Sequence, residues 1–340
     1  MIKLRIISII NETETCKTFH FAADEKIEYE AGQFLTFEFT INGNAIRRSY
    51  SLSSNPYIEN ELSITVKRED NGLLSRWWID EAKVCDNLIC LPPAGMFTIK
   101  WQNEPRDIYL AAAGSGIAPL LSLLNAALIK EPQSRIHLLY SNSRSEITIF
   151  LQELLKLQQV YSSHLTITWL FSDNKDLNNA RLSSYNLQKI VKDTLQFEIK
   201  DALMYTCGPY EYMMMVQVTS LTMGFNAKHV RRELFDTSEP SKIKRRNFDT
   251  TDRTITIIKN GKEHAVYVPY HQTILQAALA NKIDIPYSCR IGRCSTCVCK
   301  VLGGEVWMHS NEVLTDEDEI AGYALACTGH PATEDVIIQF

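Results

Sequence analysis

Four cysteines provide the residue type and the spacing for iron chemistry. Cys289, Cys294 and Cys297 follow the pattern C-x4-C-x2-C, and Cys327 follows separately, later in the chain. Thiolates at this spacing bind a [2Fe-2S] cluster, in which four cysteines hold two irons. Gly292 and the small residues around the motif allow the backbone amides to approach the bridging sulfides closely. These four cysteines are therefore the predicted metal ligands of a redox centre.

Other interpretations of the same cysteines are a structural zinc site, a disulfide framework or unrelated buried thiols. Zinc sites usually combine two C-x2-C pairs, whereas Cys327 has no second cysteine beside it. Cys299 lies two residues beyond Cys297, so in a strand the two side chains would share a face. Because Cys299 breaks the cluster spacing, we predict that it is a structural thiol.

The composition limits the class of protein. A chain of 340 residues has room for two or three domains, and its net charge of −5 argues against nucleic acid as the main partner. No apolar run reaches membrane-spanning length. We therefore expect no membrane partner, and the five of nine cysteines that lie outside the motif favour a reducing, cytoplasmic location. These five are Cys16, Cys85, Cys90, Cys207 and Cys299.

Residues 1–103 are predicted to form an antiparallel β-barrel. Short apolar or alternating segments are separated by turn residues such as Asn42-Gly43, and a helical stretch at 73–81 interrupts them. The expected strands are 3–10, 18–21, 34–41, 46–52, 62–68 and 88–91.

Residues 104–237 alternate between strands and helices, which predicts a parallel sheet with a nucleotide at the carboxyl ends of its strands. The expected strands are 108–113, 136–140, 165–171 and 202–206. The expected helices are one ending at Ile129, then 148–160, 185–195 and 210–223.

Residues 238–250 lack periodicity and are predicted to be a linker. Their basic residues could instead dock a partner or a phosphate, but solvent exposure is the favoured interpretation. Residues 251–340 form the last expected domain, with a hairpin around Asn260-Gly261, a helix at 273–281 and then the cysteine motif.

Three further motifs have the chemistry of nucleotide and flavin sites. Arg48 and Tyr50 would share one face of a strand. The Arg48 guanidinium could then pair with a phosphate group while the Tyr50 ring stacks on a flat ring of the same ligand. Gly114-x-Gly116 follows an apolar strand and offers a helix N-terminus to a pyrophosphate. Pro119 replaces the third glycine of the dinucleotide fingerprint, so that match is partial. Cys207-Gly208-Pro209 could be a plain turn at a helix start.

Together these features resemble the ferredoxin-NADP reductase superfamily, in the subgroup with a fused C-terminal plant-type [2Fe-2S] ferredoxin domain. The resemblance covers essentially the whole chain. It implies a multidomain fold with an antiparallel β-barrel for FAD, an α/β parallel sheet for NAD(P) and an α+β, β-grasp-like ferredoxin domain.

The resemblance also implies roles for individual residues. Arg48 would contact the flavin pyrophosphate, Tyr50 would stack on the isoalloxazine, and Ser51 would lie near its N5. Cys207 would sit beside the nicotinamide, and Phe235 would cover the flavin. The remaining cofactor contacts would come from the Val-Lys-Arg strand, the Gly-x-x-Ser loop and the nucleotide loops. They are Val66, Lys67, Gly72, Leu73, Leu74, Ser75, Gly114, Gly116, Pro119, Gly208 and Pro209.

The implied function is electron transfer from NAD(P)H to FAD, then to the cluster and on to a partner protein. Flavin chemistry connects a two-electron hydride donor to a one-electron cluster. The ferredoxin segment is most similar to the reductase subunits of phenylacetyl-CoA ring-epoxidising monooxygenases. Reductases of hybrid-cluster proteins or of other ring-hydroxylating oxygenases are alternatives, as is a non-enzymatic iron-sulfur module. Ser172-Asp173, where the family has a phosphate-binding Ser-Arg pair, favours NADH, although Arg144 or Arg181 could reach that site.

Overall fold

The computed structural model describes residues 1–41, 43–176, 180–235 and 250–340, together with the backbone but not the side chain of Asn44. The chain divides into two compact units. The larger unit contains Met1–Asn42 and Ser49–Leu234, and the smaller unit contains Gly43–Arg48 and Phe235–Phe340. Most of the predicted linker, 238–249, lies outside the described residues.

Six antiparallel strands form the first sheet, and it closes where Leu52 forms a bridge with Ile64. The sheet order is β4-β3-β6-β1-β2-β5. The alternating side chains fill its interior, as the period of two predicts for strands that surround a core. The strands are β1 (Ile2–Thr13), β2 (Cys16–Ala23), β3 (Phe34–Ile41), β4 (Asn44–Ser51), β5 (Leu62–Lys67) and β6 (Asn87–Cys90).

A short helical segment follows β5 and closes one end of the barrel core. It consists of α1 (Leu73–Arg76) and a π-helical turn (Trp77–Glu81). The fully buried Trp78 ring lies 4.8 Å from the Phe19 centroid and 5.2 Å from that of Phe37. These aromatic contacts fix the segment against the sheet.

The second sheet is parallel, as the strand and helix alternation predicted. Its order is β11-β10-β7-β8-β9, with α2 packed against β7, β8 and β10. The strands are β7 (Asp107–Ala113), β8 (Arg135–Asn142), β9 (Leu165–Phe171), β10 (Leu203–Cys207) and β11 (Val230–Glu233). The helices are α2 (Ile117–Lys130), α3 (Leu151–Val160), α4 (Ser184–Thr194) and α5 (Tyr210–Met223).

The smaller unit has a mixed five-stranded sheet with the order β13-β12-β18-β14-β16, and β15 pairs separately with β17. Among the described residues of this unit, capping boxes at Thr273 and Thr315 begin the helices α6 (Ile274–Ala280) and α7 (Asp316–Ile320). The strands are β12 (Arg253–Lys259), β13 (Lys262–Val268), β14 (Val298–Gly303), β15 (Val306–Met308), β16 (Tyr323–Leu325), β17 (Gly329–Pro331) and β18 (Ile337–Gln339).

None of the described helices is long and apolar enough to cross a membrane.

Candidate functional site

The cysteine loop turns its backbone amides toward sulfur. The N–H of Cys289 donates to the Cys294 Sγ at 3.4 Å, and the N–H of Arg293 donates to the Cys289 Sγ at 3.4 Å. Gly292 has φ +83°, and a Cβ at this position would lie 2.8 Å from the Ser310 carbonyl oxygen. Only glycine fits this close backbone contact.

All four predicted ligands meet at this loop. The Cys289 thiol contacts those of Cys294 and Cys327, and Cys327 also contacts Cys297. A backbone hydrogen bond of 3.0 Å from Ala326 N–H to the Cys297 carbonyl brings the fourth cysteine to the other three. The structure thus joins ligands that are far apart in sequence.

The neighbouring thiols of the loop change one another's pKa: contacts with Cys289 and Cys297, together with burial, raise the pKa of Cys327. Hydrogen bonds from the Cys294 and Cys327 thiols, helped by backbone N–H groups, lower the pKa of Cys289 well below its usual range. The contact with Cys289 and burial raise the pKa of Cys294. A lowered thiol pKa favours the thiolate, which is the form that binds iron.

Within the described ranges, no three Cys, His, Asp or Glu side chains surround one point as a mononuclear metal site requires. Cys289 and Cys327 each contact two of the other thiols, and four thiols gathered at one place match the ligand number of a [2Fe-2S] cluster. The Cys299 thiol has a different hydrogen-bond partner, because its Sγ donates to the Ala324 carbonyl at 3.5 Å. Burial raises the pKa of Cys299 above 9.0.

Two glycine loops meet at the carboxyl edge of the parallel sheet. A Cβ on Gly116 would lie 2.2 Å from the carbonyl oxygen of Cys207, and a Cβ on Gly208 would lie 2.8 Å from the Cβ of Ala113. Both loops follow neighbouring strands, because β7 and β10 pair in parallel register. The predicted nucleotide residues of the two loops are therefore adjacent in space.

The carboxyl edge of the parallel sheet has unobstructed backbone and buried polar atoms, and a dinucleotide site requires both. Gly114 has φ +55°, and a Cβ there would meet nothing within 4 Å. The Nδ2 of Asn142, at the end of β8, is buried near the Tyr140 hydroxyl, with no hydrogen bond of good geometry to any residue that the structure describes. Pro119 is buried in the first turn of α2, and Pro209 precedes α5. The residues present thus fit a pyrophosphate at a helix start and a polar ligand beside it.

Ser51, Glu233 and Cys207 form a buried polar cluster. The Ser51 Oγ donates to the Glu233 Oε2 at 2.7 Å, and Glu233 is the in-register neighbour of Cys207 in the β10–β11 pair. Burial raises the pKa of Glu233 to about 7. Burial, and to a smaller extent the nearby Glu233 carboxylate, raises the pKa of Cys207. The cluster can therefore hold a proton near neutral pH.

The Tyr50 ring is half-buried on β4 and supported from one side. Its centroid lies 5.7 Å from that of Trp78 and 6.1 Å from that of Phe37, both in edge-on geometry. These contacts fix the orientation of the Tyr50 ring, as a residue that stacks on the flat ring of a flavin requires. Arg48 lies two residues earlier on β4, where its guanidinium is exposed and donates to the Arg47 carbonyl at 2.8 Å.

The loop after β5 is held together by its own side chains. The Ser75 Oγ donates to the Gly72 carbonyl at 3.1 Å and accepts from the Glu69 N–H at 3.1 Å. Arg68 pairs with Asp80 on the π-helical turn at 3.1 Å. Ser75 and Arg68 thus position this loop, and the hydroxyl of Ser75 already has partners within it.

The other residues predicted in this region differ in exposure. Val66 is buried in the barrel core, so any cofactor contact would come from its backbone, whereas Lys67 is exposed. Leu73 is exposed and Leu74 is buried at the start of α1. Phe235 follows β11 and is 44% exposed.

Sequence reasoning missed Glu233 and the strand that carries it. The available signal was weak: Glu233 lies between Arg232 and Leu234, two residues before Phe235, in a short stretch that alternates little in polarity. A glutamate in such a strand either faces solvent or needs a buried partner. The sequence alone does not say that Ser51 is that partner, because 182 residues separate the two.

Models of three domain families match the chain. An oxidoreductase FAD-binding domain matches residues 3–99, an oxidoreductase NAD-binding domain matches 110–218, and a 2Fe-2S iron-sulfur cluster binding domain matches 257–332. The chain belongs to the ferredoxin-NADP reductase superfamily, in the group with a C-terminal [2Fe-2S] domain.

Relatives match over the whole length. One of the subunits of 1,2-phenylacetyl-CoA epoxidase from Escherichia coli K12 is 31% identical, over 99% of this chain and 97% of the relative. The ferredoxin reductase component of 3-ketosteroid-9-alpha-monooxygenase from Rhodococcus rhodochrous is 32% identical, over 99% and 96% respectively. In fold, the chain resembles phthalate dioxygenase reductase, with a TM-score of 0.59 and 23% identity over 99% of this chain and 97% of that one.

The family confirms the predicted fold class and cofactors. The chain is an oxidoreductase that transfers electrons from NAD(P)H through FAD to a [2Fe-2S] cluster. The alternative of a non-enzymatic iron-sulfur module is therefore wrong. The roles of individual residues and the domain boundaries remain predictions.

Proposed function

We propose that this chain is the reductase component of an oxygenase of the phenylacetyl-CoA epoxidase type. The observation that carries the proposal is full-length similarity at 31% identity to one component of that epoxidase. The steroid monooxygenase component, at 32% identity, supports the broader assignment to oxygenase reductases. The acceptor is then a separate oxygenase protein that receives electrons from the cluster.

Bound FAD supplies the conversion of one hydride into two single electrons. Tyr50 would stack on the flavin and Arg48 would neutralise its pyrophosphate. The loops around Gly116 and Gly208 would hold the dinucleotide so that its nicotinamide lies beside Cys207. Cys289, Cys294, Cys297 and Cys327 would bind the cluster.

When one hydride from NAD(P)H is passed on as two single electrons, one proton is released. Glu233 is buried, has a pKa raised to about 7 by that burial, and accepts a hydrogen bond from Ser51. We assign its Oε2 as the acceptor of that proton, with the Ser51 hydroxyl as the link to the flavin edge.

We also propose a reducing, cytoplasmic location. All nine cysteines are free thiols, and four of them have to remain available to iron. An oxidising compartment would favour disulfides among these residues.

Partner reconstitution tests the proposed acceptor. The reductase with NADH should support substrate oxidation by a phenylacetyl-CoA epoxidase oxygenase component, measured as NADH-dependent conversion of phenylacetyl-CoA to an oxidised CoA thioester. A hybrid-cluster protein should accept electrons far more slowly. Faster reduction of the hybrid-cluster protein, with no turnover of the thioester, would contradict the proposal.

Cysteine variants test the electron route. Cys327→Ser should abolish reduction of the oxygenase component while NADH-dependent ferricyanide reduction persists, because ferricyanide can take electrons from the flavin. Cys299→Ser is the matched control and should retain both activities and its iron. Loss of iron from Cys299→Ser would show that the ligand set is different.

A further inference from the structure

The helix that carries the predicted nucleotide loop is hydrogen-bonded to the segment that follows the predicted flavin strand. The Ser122 Oγ, in the second turn of α2, donates to the Ser54 carbonyl at 2.6 Å. Both residues are almost completely buried, at 0% and 1% exposure. Buried hydroxyl groups need such partners, and a short bond of this kind fixes the distance between the two segments.

The barrel holds Ser54 in place from the other side. The Tyr29 hydroxyl and the Ser54 Oγ lie 2.7 Å apart, and the Ser63 N–H donates to the same Oγ at 3.0 Å. Gly32 adds a second contact with α2, because a Cβ there would lie 3.1 Å from the Leu123 Cδ2. The N-terminal half of α2 therefore packs against a fixed part of the barrel.

Each end of the bond between Ser122 and Ser54 lies close to a predicted contact with substrate or cofactor. Ser122 is five residues beyond Ile117, where α2 begins, and this corresponds to about 8 Å along a helix. Ser54 is three residues beyond Ser51, where β4 ends, and this corresponds to at most about 10 Å. The bond thus connects the strand predicted to hold the flavin with the helix predicted to hold the dinucleotide.

We propose that Ser122 is a positioning residue for hydride transfer, because its bond to Ser54 sets the distance between the bound nicotinamide and the flavin. In that step a hydride leaves NAD(P)H, which becomes NAD(P)+, and FAD takes it up as two electrons and a proton. The rate depends steeply on the separation of the reacting atoms, so a small displacement of α2 slows the step. The inference rests on the predicted positions of the flavin at Tyr50 and Ser51 and of the nucleotide at Gly114–Gly116. It does not depend on the oxygenase partner.

Ser122→Ala should slow reduction of the flavin by NADH by about fivefold or more. The dissociation constant for NADH should stay within about twofold of the wild-type value, because the nucleotide loop itself is unchanged and only its distance from β4 is no longer fixed. Tyr29→Phe weakens the support of Ser54 from the barrel side and should produce a smaller change in the same direction.

Ser220→Ala is the matched control. Ser220 on α5 is also fully buried, but its Oγ donates to the Val216 carbonyl of the same helix at 2.8 Å. Its loss should lower the Tm of the protein to a similar extent and leave flavin reduction unchanged.

The experiment follows flavin bleaching by stopped-flow absorbance in the full-length, FAD-containing protein, as a function of NADH concentration. No protein acceptor is present, so the result is independent of the oxygenase assignment. The FAD content of Tyr50→Ala and the NADH affinity of Gly116→Ala test the two predicted positions separately. Hydrogen exchange measured by mass spectrometry adds a readout other than activity, and residues 52–59 and 117–124 should exchange faster in Ser122→Ala than in the wild type.

A lower limiting rate at unchanged NADH affinity, together with faster exchange in both segments, supports the proposal. An unchanged limiting rate in Ser122→Ala, or equal slowing in Ser220→Ala, would overturn it. Weaker NADH binding with an unchanged limiting rate would also overturn it, because Ser122 would then support binding alone. Should Ser122→Ala not fold, the same comparison between Tyr29→Phe and Ser220→Ala decides.

Discussion

The Ser51 hydroxyl and the Glu233 carboxylate lie 2.7 Å apart, although one residue ends a barrel strand and the other ends a strand of the parallel sheet. Both side chains are buried. The hydrogen bond from Ser51 favours the charged carboxylate, but burial has the larger effect and raises the pKa of Glu233 to about 7. The larger unit therefore contains a carboxyl group that titrates near neutral pH.

This titration should make the stability of the protein depend on pH. Between the ordinary pKa of 4.5 and about 7, the folded state keeps the Glu233 proton while the unfolded state loses it. The stabilisation that comes from the Glu233 proton is therefore fully present below pH 4.5. The free energy of unfolding then falls as pH rises to about 7, by roughly 3 kcal/mol at most. Glu233→Gln removes this effect, so the variant should gain Tm relative to the wild type between pH 5 and pH 8.

Thermal unfolding of both proteins across that range measures the difference. Glu25→Gln is the control, because Glu25 is exposed in the same unit. Identical pH dependence of the wild type and Glu233→Gln would show that Glu233 ionises in the folded protein as readily as in the unfolded chain.

Gly116→Ala should damage the nucleotide site more than Gly114→Ala. A methyl group at Gly116 would lie 2.2 Å from the Cys207 carbonyl oxygen, and that backbone has no room to move away. At Gly114 the added methyl meets nothing, and only the left-handed conformation costs about 1 to 2 kcal/mol. We expect at least a tenfold rise in the KM for NADH for Gly116→Ala, with a lowered Tm. Equal effects of the two substitutions would mean that the contact between the loops is not required.

Asp173 should favour NADH over NADPH. The backbone N–H of Asp173 donates to the Ser143 carbonyl at 3.2 Å, which places this exposed residue beside the end of β8. A carboxylate there repels a 2′-phosphate by about 1 kcal/mol or more where it is partly shielded from water. The wild type should therefore have a several-fold higher kcat/KM for NADH.

Asp173→Arg should shift that ratio toward NADPH. The matched control is Asp193→Arg, which makes the same charge change at an exposed position on α4 and should leave the ratio unchanged. A tenfold preference of the wild type for NADPH would indicate that Arg144 or Arg181 binds the phosphate.

The acidic residues of α7 should accelerate encounter with a basic partner. Asp318 is buried and accepts hydrogen bonds from Thr315, so it caps the helix. Asp316, Glu317 and Glu319 are exposed, and Ile320 at the end of the helix is 85% exposed. An acidic rim beside an exposed apolar residue suits electrostatic steering of a partner with the opposite charge.

Added salt should then slow reduction of the partner protein and leave the NADH-ferricyanide rate almost unchanged. Asp316→Asn/Glu317→Gln should reduce the partner rate at low salt by several-fold. Glu263→Gln on β13, at the opposite edge of the sheet from β16, is the control. The same salt dependence for both acceptors would exclude steering by this helix.

Periodicity and spacing predicted the architecture because each depends on local sequence. The cysteine spacing predicted which four thiols come together, and the alternation of strands and helices predicted the parallel sheet. Helix starts were less predictable. The expected helix at 148–160 begins at Leu151, because the Thr148 hydroxyl donates to the Arg144 carbonyl and closes a separate turn before it.

Contacts between distant segments could not be predicted in this way. The pairs Ser51 with Glu233 and Arg293 with Glu312 depend on which strands and loops become neighbours. Asp80 also shows this limit on a shorter scale, since it pairs with Arg68 across the loop after β5. In each case the residue type was visible but its partner was not.

The position of β18 determines when the iron-sulfur domain can assemble during protein synthesis. Residues 337–339 pair in parallel with β12 and antiparallel with β14, so the most C-terminal of the described strands lies in the middle of the sheet. Because long-range parallel pairing cannot precede synthesis of its second strand, the sheet cannot be completed until this strand is available. Truncation before Ile337 should therefore leave the sheet without a central strand and yield a protein that cannot retain iron.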